Sequence, residues 1–101
     1  MTSELIAEIN AERGRQDAKH PALPRYLLNP EYEPKPSDIE ASLIWRRKDN
    51  DALEAKGEHS WFGIIGEEYR EIFTAKTKEE RRTEAIQTIA TLVRMLENDT
   101  F

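Results

Sequence analysis

The sequence predicts an all-α domain of four helices, and three observations carry that prediction. Apolar residues recur at three- and four-residue spacing in four separate segments. A proline cluster, a glycine and two capping patterns divide those segments from one another. No stretch shows the period-two alternation that a half-buried strand requires. At 101 residues the chain has room for a single domain, 1–101, with a Pro-rich connector over 20–36.

The first helix is predicted over 3–19, where Leu5, Ile6 and Ile9 are apolar among good helix formers. Pro21, Pro24, Pro30, Pro34 and Pro36 then exclude regular helix. Tyr26, Leu27, Leu28 and Tyr32 in that stretch predict a connector packed along the body. Ser37-Asp38-Ile39-Glu40 reads as a capping box opening a second helix to about Lys56. Its apolar positions are Ile39, Leu43, Ile44, Leu53 and Trp45, its middle is charged from Arg46 to Asp51, and Gly57 stops it. The third helix is predicted from Ser60 to Ala75. Thr77-Lys78-Glu79-Glu80 opens a fourth, running to about Asn98. Ile86, Ile89, Ala90, Val93 and Leu96 make the apolar stripe of this fourth helix, the face expected to enter the core.

Hydrophobic residues make up 38% and charged residues 35%, a thin supply for a core of this size, so a second copy is expected to complete the burial. No apolar run approaches the ~20 residues that cross a bilayer, and no secretory pattern opens the chain, so no membrane role and a cytoplasmic setting are expected. The absence of cysteine excludes disulfides and thiolate metal sites. A net charge of −5 argues against a nucleic-acid partner, because there is no basic surplus to displace counterions.

The chemistry-bearing stretch is Ile64-Ile65-Gly66-Glu67-Glu68-Tyr69-Arg70-Glu71-Ile72-Phe73. Carboxylates three residues apart share a helix face, so Glu68 and Glu71 aim at one point. On a helical wheel Glu68 falls within the arc of Trp61, Ile65, Tyr69 and Ile72, which Phe62 and Phe73 extend. Glu71 falls at its edge, while Glu67 and Arg70 point toward solvent. A carboxylate on an apolar face is costly unless paired or ligated to a cation. From Glu84 to Leu96 the fourth helix carries only two charged residues, Glu84 and Arg94, and Arg94 lies ten residues on, about 15 Å away and out of reach within one helix. The helix dipole offers Glu84 a competing explanation, and Glu-Glu in a helix is most often an ordinary solvated surface. Together the three acids predict an oxygen-ligand cage for a hard divalent cation. His20 and His59 are isolated and lack metal-ligand spacing. Gly63 and Gly66 do not form a phosphate loop; inside a helix they predict close packing. Lys76, Lys78, Arg81 and Arg82 read as a solvated turn that could also meet phosphate oxygens.

Ile64 to Phe73, followed by Thr83-Glu84-Ala85-Ile86-Gln87-Thr88-Ile89-Ala90-Thr91-Leu92-Val93-Arg94-Met95-Leu96-Glu97, resembles the MazG-like all-α nucleoside triphosphate pyrophosphohydrolases. Their signature is Glu-x-x-Glu on one helix and Glu-x-x-Asp on the next. Ala11 to Lys19 is similar to the opening helix of small bacterial and phage members. Two departures stand out: the family's final Asp is Gln87 here, which removes one negative charge, and His20-Pro21 stands where Trp-Gly often follows. The resemblance implies a four-helix MazG-like bundle completed by oligomerisation as a homodimer or homotetramer. It also implies hydrolysis of an NTP or dNTP to the monophosphate and pyrophosphate. Glu68, Glu71, Glu84 and Gln87 would hold Mg²⁺, with Mn²⁺ as a substitute, and Glu67 would orient or deprotonate the attacking water beside Glu68. Gln16, Lys19 and Trp61 are the expected nucleotide contacts. The rival expectations are a catalytically silent member that binds a nucleotide or a protein, and a helical oligomerisation module whose acids are simply solvated.

Overall fold

Each helix begins where a side-chain oxygen meets an unpaired backbone N–H, or where proline presets the first turn. The computed structural model describes residues 1–99. Among them it contains four helices and no strand: α1 (Ser3–Lys19), α2 (Pro36–Ala55), α3 (Trp61–Thr74) and α4 (Lys78–Asn98). Thr2 caps α1 by accepting from the Leu5 N–H, and Ser60 caps α3 by accepting from that of Gly63. Thr77 caps α4 by accepting from Glu80 N–H, while the Glu80 carboxylate reaches back to the N–H of Lys76, just before the cap. The start of α2 differs from the prediction. Pro36 occupies its first turn, and Asp38 accepts from the N–H of Lys35, so the helix opens before Ser37 rather than at it.

The end of α2 is a Schellman closure. Gly57 adopts φ +70, its N–H reaches Glu54 O, and the N–H of Glu58 reaches Leu53 O. That left-handed turn leads into α3, and a three-residue link, Ala75 to Thr77, leads from α3 to α4. Links this short make neighbours antiparallel.

α3 is the hub. α2 and α4 each pack along it but not against each other, and α1 packs along none of the three. The N-terminus of α1 meets only the end of α4, where the Met1 ammonium lies 3.3 Å from Glu97. Among the described residues the buried large apolar side chains are few, Ile39 and Leu43 of α2, and neither is completely sealed from solvent. The α2–α3 seam is instead closed by polar groups. Asn50, buried, donates to Gly63 O at 2.9 Å and to Glu67 Oε1 at 3.1 Å. Arg70 donates to Ser42 Oγ and to Gly66 O, both at 2.9 Å. The glycines permit this approach: a Cβ on Gly63 would run into Asn50 Oδ1, and one on Gly66 would crowd the Arg70 guanidinium at 3.3 Å.

Three side-chain expectations are corrected here. The predicted core stripe of α4 faces outward, with Ile86 and Ile89 53% and 59% exposed; the face toward α3 carries Glu84, Ala85 and buried Thr88. Thr88 tolerates burial because its hydroxyl donates to Glu84 O at 2.8 Å. On α3, Phe62 and Tyr69 are exposed, and the Arg46 guanidinium lies over the Phe62 ring, 5.3 Å from its centroid. Ile44 and Trp45 of α2 are exposed too. The connector packs only in part: Leu28 is half-buried, and with Leu27 and Pro34 it borders a hollow against Ile39, Tyr69 and Phe73, while Tyr26, Leu27 and Tyr32 stay exposed. No helix among the described residues is long and apolar enough to cross a membrane.

Candidate metal centre

Because α2 and α4 flank α3 without touching, a trough runs along the face of α3 between them. Trp61, Ile64, Glu68 and Glu71 succeed one another along this face at three- and four-residue steps. At the C-terminal end of α3 the trough widens into a cleft of about 300 Å³. Glu40, Ile44 and Arg47 of α2, Glu71 and Thr74 of α3, and Glu80 and Glu84 of α4 are among the residues around it.

Glu68, Glu71 and Glu84 come together as expected, offering one oxygen each within 4.8 Å of one another. Glu68 Oε2 and Glu84 Oε2 are shielded from solvent and have no hydrogen-bond partner. A buried carboxylate oxygen left this way forfeits its hydration without compensation. The proton equilibria register the strain. Burial pushes the Glu71 carboxyl up to about 7, helped by a hydrogen bond with Glu84 and by the charges of Glu68 and Glu84, while Arg47 pulls the other way. Burial also raises Glu68, with the Glu84 and Glu67 charges adding to it. Among the described residues the one guanidinium in ion-pair range of the three acids is that of Arg47, whose Nη2 stands 3.8 Å from Glu71 Oε1, at the limit of such contact. Three carboxylates against one distant cation make a site short of positive charge. An all-oxygen set of this kind suits magnesium or manganese, and partial protonation is how it is neutralised otherwise.

Two placements from the helical wheel need correcting. Glu67 is not turned to solvent: it is half-buried, and Asn50 fixes its carboxylate from α2. Arg70 likewise lies in the seam rather than outside it. Gln87 sits on α4 one turn beyond Glu84, with an exposed side chain. Trp61 lies at the opposite end of the trough, bordering a second hollow with Glu54, His59, Ile64 and Arg94. Gln16 and Lys19 are not brought to either end; they border a separate hollow with His20, Leu23 and Pro24 where α1 meets the connector.

The sequence reading overlooked Asn50 and Arg47, both placed in the charged middle of α2. Asn50 had a signal: it continues the row Ile39, Leu43, Arg46 at helical spacing, the row that faces α3. Arg47 had none, since its partner lies on another helix.

No protein-family model matches the chain, and no curated protein or solved structure is significantly similar to it.

Proposed function

We propose that the protein is a metal-dependent nucleoside triphosphate pyrophosphohydrolase of MazG-like type, cleaving an NTP or dNTP to the monophosphate and pyrophosphate. The observation that carries this reading is the pair of buried, partnerless oxygens on Glu68 and Glu84, beside Glu71, at the end of an open trough. Buried carboxylate oxygens that no protein group satisfies are better explained by a ligand than by surface solvation.

In this reading Glu68, Glu71 and Glu84 hold Mg²⁺, and Gln87 contributes its amide oxygen after a change of rotamer or through a water. The cation screens the phosphate chain and makes a bound water more acidic. Glu67, held by Asn50, takes the proton from the water that attacks the α-phosphorus, and pyrophosphate leaves with the electron pair of the broken P–O bond. Arg47 stands at the cleft to meet a phosphate oxygen once it releases Glu71. The second reading, a silent nucleotide binder, draws on the exposed amide at Gln87, which leaves three charged ligands rather than four.

The same reading includes self-association as a dimer or tetramer, supported by the outward stripe of Ile86, Ile89 and Leu96 and by the detached α1. Its substrates belong to the cytoplasm, which is where we place it. The test is pyrophosphate release from a panel of NTPs and dNTPs, with Mg²⁺ and then with EDTA. Metal-dependent release is expected, and its absence across the panel would end the hydrolase reading. Stabilisation of the protein by Mg²⁺ and a nonhydrolysable nucleotide would then favour the silent binder.

A further inference from the structure

The acid cluster occupies one end of the trough, and the other end has chemistry of its own. There the Trp61 ring is covered by the Arg94 guanidinium from α4, 5.9 Å from the ring centroid. Ile64, His59 and Glu54 complete the surroundings of a hollow of about 550 Å³. The same ten-residue spacing, about 15 Å of helix, separates Trp61 from Glu71 on α3 and Glu84 from Arg94 on α4. Since α3 and α4 run antiparallel, one register brings both pairs together: Glu71 with Glu84, and Trp61 with Arg94.

We propose that Trp61 and Arg94 form a clamp for a nucleobase, so that the substrate lies along the trough with its ring between them and its phosphates at the acids. This inference rests on the nucleotide reading of the acid end and adds to it the place and chemistry of base recognition. Tryptophan faces and guanidinium planes both stack on heteroaromatic rings. A separation of 5.9 Å is near the outer limit of cation–π attraction. The exposed Arg94 therefore gives way to an entering ring at little cost and settles on its far face. Phe62, Tyr69 and Phe73 share the apolar arc of α3 with Trp61 but are turned about 80–120° from it, away from Glu71, so Trp61 is the aromatic nearest the line of Glu68 and Glu71.

The test uses the full chain carrying Trp45→Phe, which leaves Trp61 as its single tryptophan. Trp61 fluorescence is followed as AMP or GMP is added in EDTA, so neither metal nor hydrolysis contributes. Saturable quenching is expected, weakened about 5- to 100-fold by Arg94→Ala and absent when ribose 5-phosphate replaces the nucleotide. No saturable quenching, equal quenching by ribose 5-phosphate, or quenching untouched by Arg94→Ala would overturn the clamp. Mn²⁺ binding to the same protein and to its Glu68→Gln variant, measured by titration calorimetry, separates this outcome from failure of the acid site. Mn²⁺ bound through Glu68 without nucleotide quenching removes the clamp and leaves the metal centre standing. Quenching without Mn²⁺ binding keeps the clamp and removes the hydrolase reading.

Discussion

Without divalent cation, the protein should lose stability as pH rises from 5 to 8, the reverse of what salt-bridged carboxylates produce. Glu71 is pushed from 4.5 up to about 7 in the folded chain. Between those values the folded state holds a proton that the unfolded chain has released, so unfolding free energy falls with rising pH. The contribution is fully present below about pH 4.5 and lost once pH passes about 7. At 1.36 kcal/mol per pH unit, the loss is about 3 kcal/mol. The Glu71 side chain is only 17% exposed, so solvent screening takes little from this figure. The upward shift of Glu68 has the same sign. In a domain of this size such a loss lowers the melting temperature by about 10–20 °C. Thermal melts in EDTA at pH 5, 6, 7 and 8 measure it directly. Mg²⁺ at a hundredfold excess over its dissociation constant should restore about 2.7 kcal/mol at pH 8, and less at pH 5, where protons compete for the same oxygens. Glu71→Gln should flatten the profile and abolish the Mg²⁺ effect. A metal-free profile that is level or rises from pH 5 to 8, or full Mg²⁺ stabilisation of Glu71→Gln, would refute the reasoning.

Other variants separate chemistry from scaffolding. Glu68→Gln should reduce pyrophosphate release by at least about 100-fold while leaving the metal-free melting temperature equal or higher, because it removes a buried charge; retained activity would mean the metal assignment is wrong. Asn50→Ala should cost about 1–3 kcal/mol in urea unfolding, since it strands Gly63 O and Glu67 at once. Gly63→Ala should cost about as much through its clash with the Asn50 amide, and a neutral result for either would remove the seam from the account. Ile89→Asp lies on an exposed face and should change the stability of a monomer by less than about 0.5 kcal/mol. By light scattering it should dissociate an oligomer built on that stripe, and an unchanged mass would rule that interface out.

The fold was legible where local chemistry decides it. The caps at Ser60 and Thr77 and the stop at Gly57 are satisfied within a few residues of chain, so sequence alone placed the later helices. The start of α2 slipped because two signals overlap: Ser37 offers a cap, but Pro36 suits the first turn and Asp38 reaches Lys35. The acid cluster was legible for a related reason. Glu68 and Glu71 share a face by periodicity, and Glu84 opens a thirteen-residue stretch, Glu84 to Leu96, in which Arg94 is the only other charge. Glu67 and Arg70 were misplaced because the wheel ranks positions by apolar neighbours, and the partners of these two are polar groups on α2. On α3 the seam is marked by Gly63, Glu67 and Arg70, whose partners on α2 are Asn50 and Ser42, so no apolar residue of α3 marks that face for periodicity to follow.

The orientation of α4 links the acid cluster to the surface left outside. Its apolar stripe is real in sequence, yet its more polar side, with Glu84, Ala85 and Thr88, is the one turned to α3. A helix has one orientation in the chain, and bringing Glu84 to Glu71 and Arg94 to Trp61 fixes it. The stripe is then left outward, where Ile86 and Ile89 cost solubility and gain nothing for a monomer. α1 is in a similar position, with Leu5 and Ile9 only half-buried and no helix along its length. Two amphipathic helices short of partners, with only two buried large apolar side chains among the described residues, are the pattern expected when the core is shared between copies. On the reading proposed here, the trough and the outward stripe are two sides of one choice: α4 turns its acids inward to make a site and leaves its hydrophobic face to a second chain.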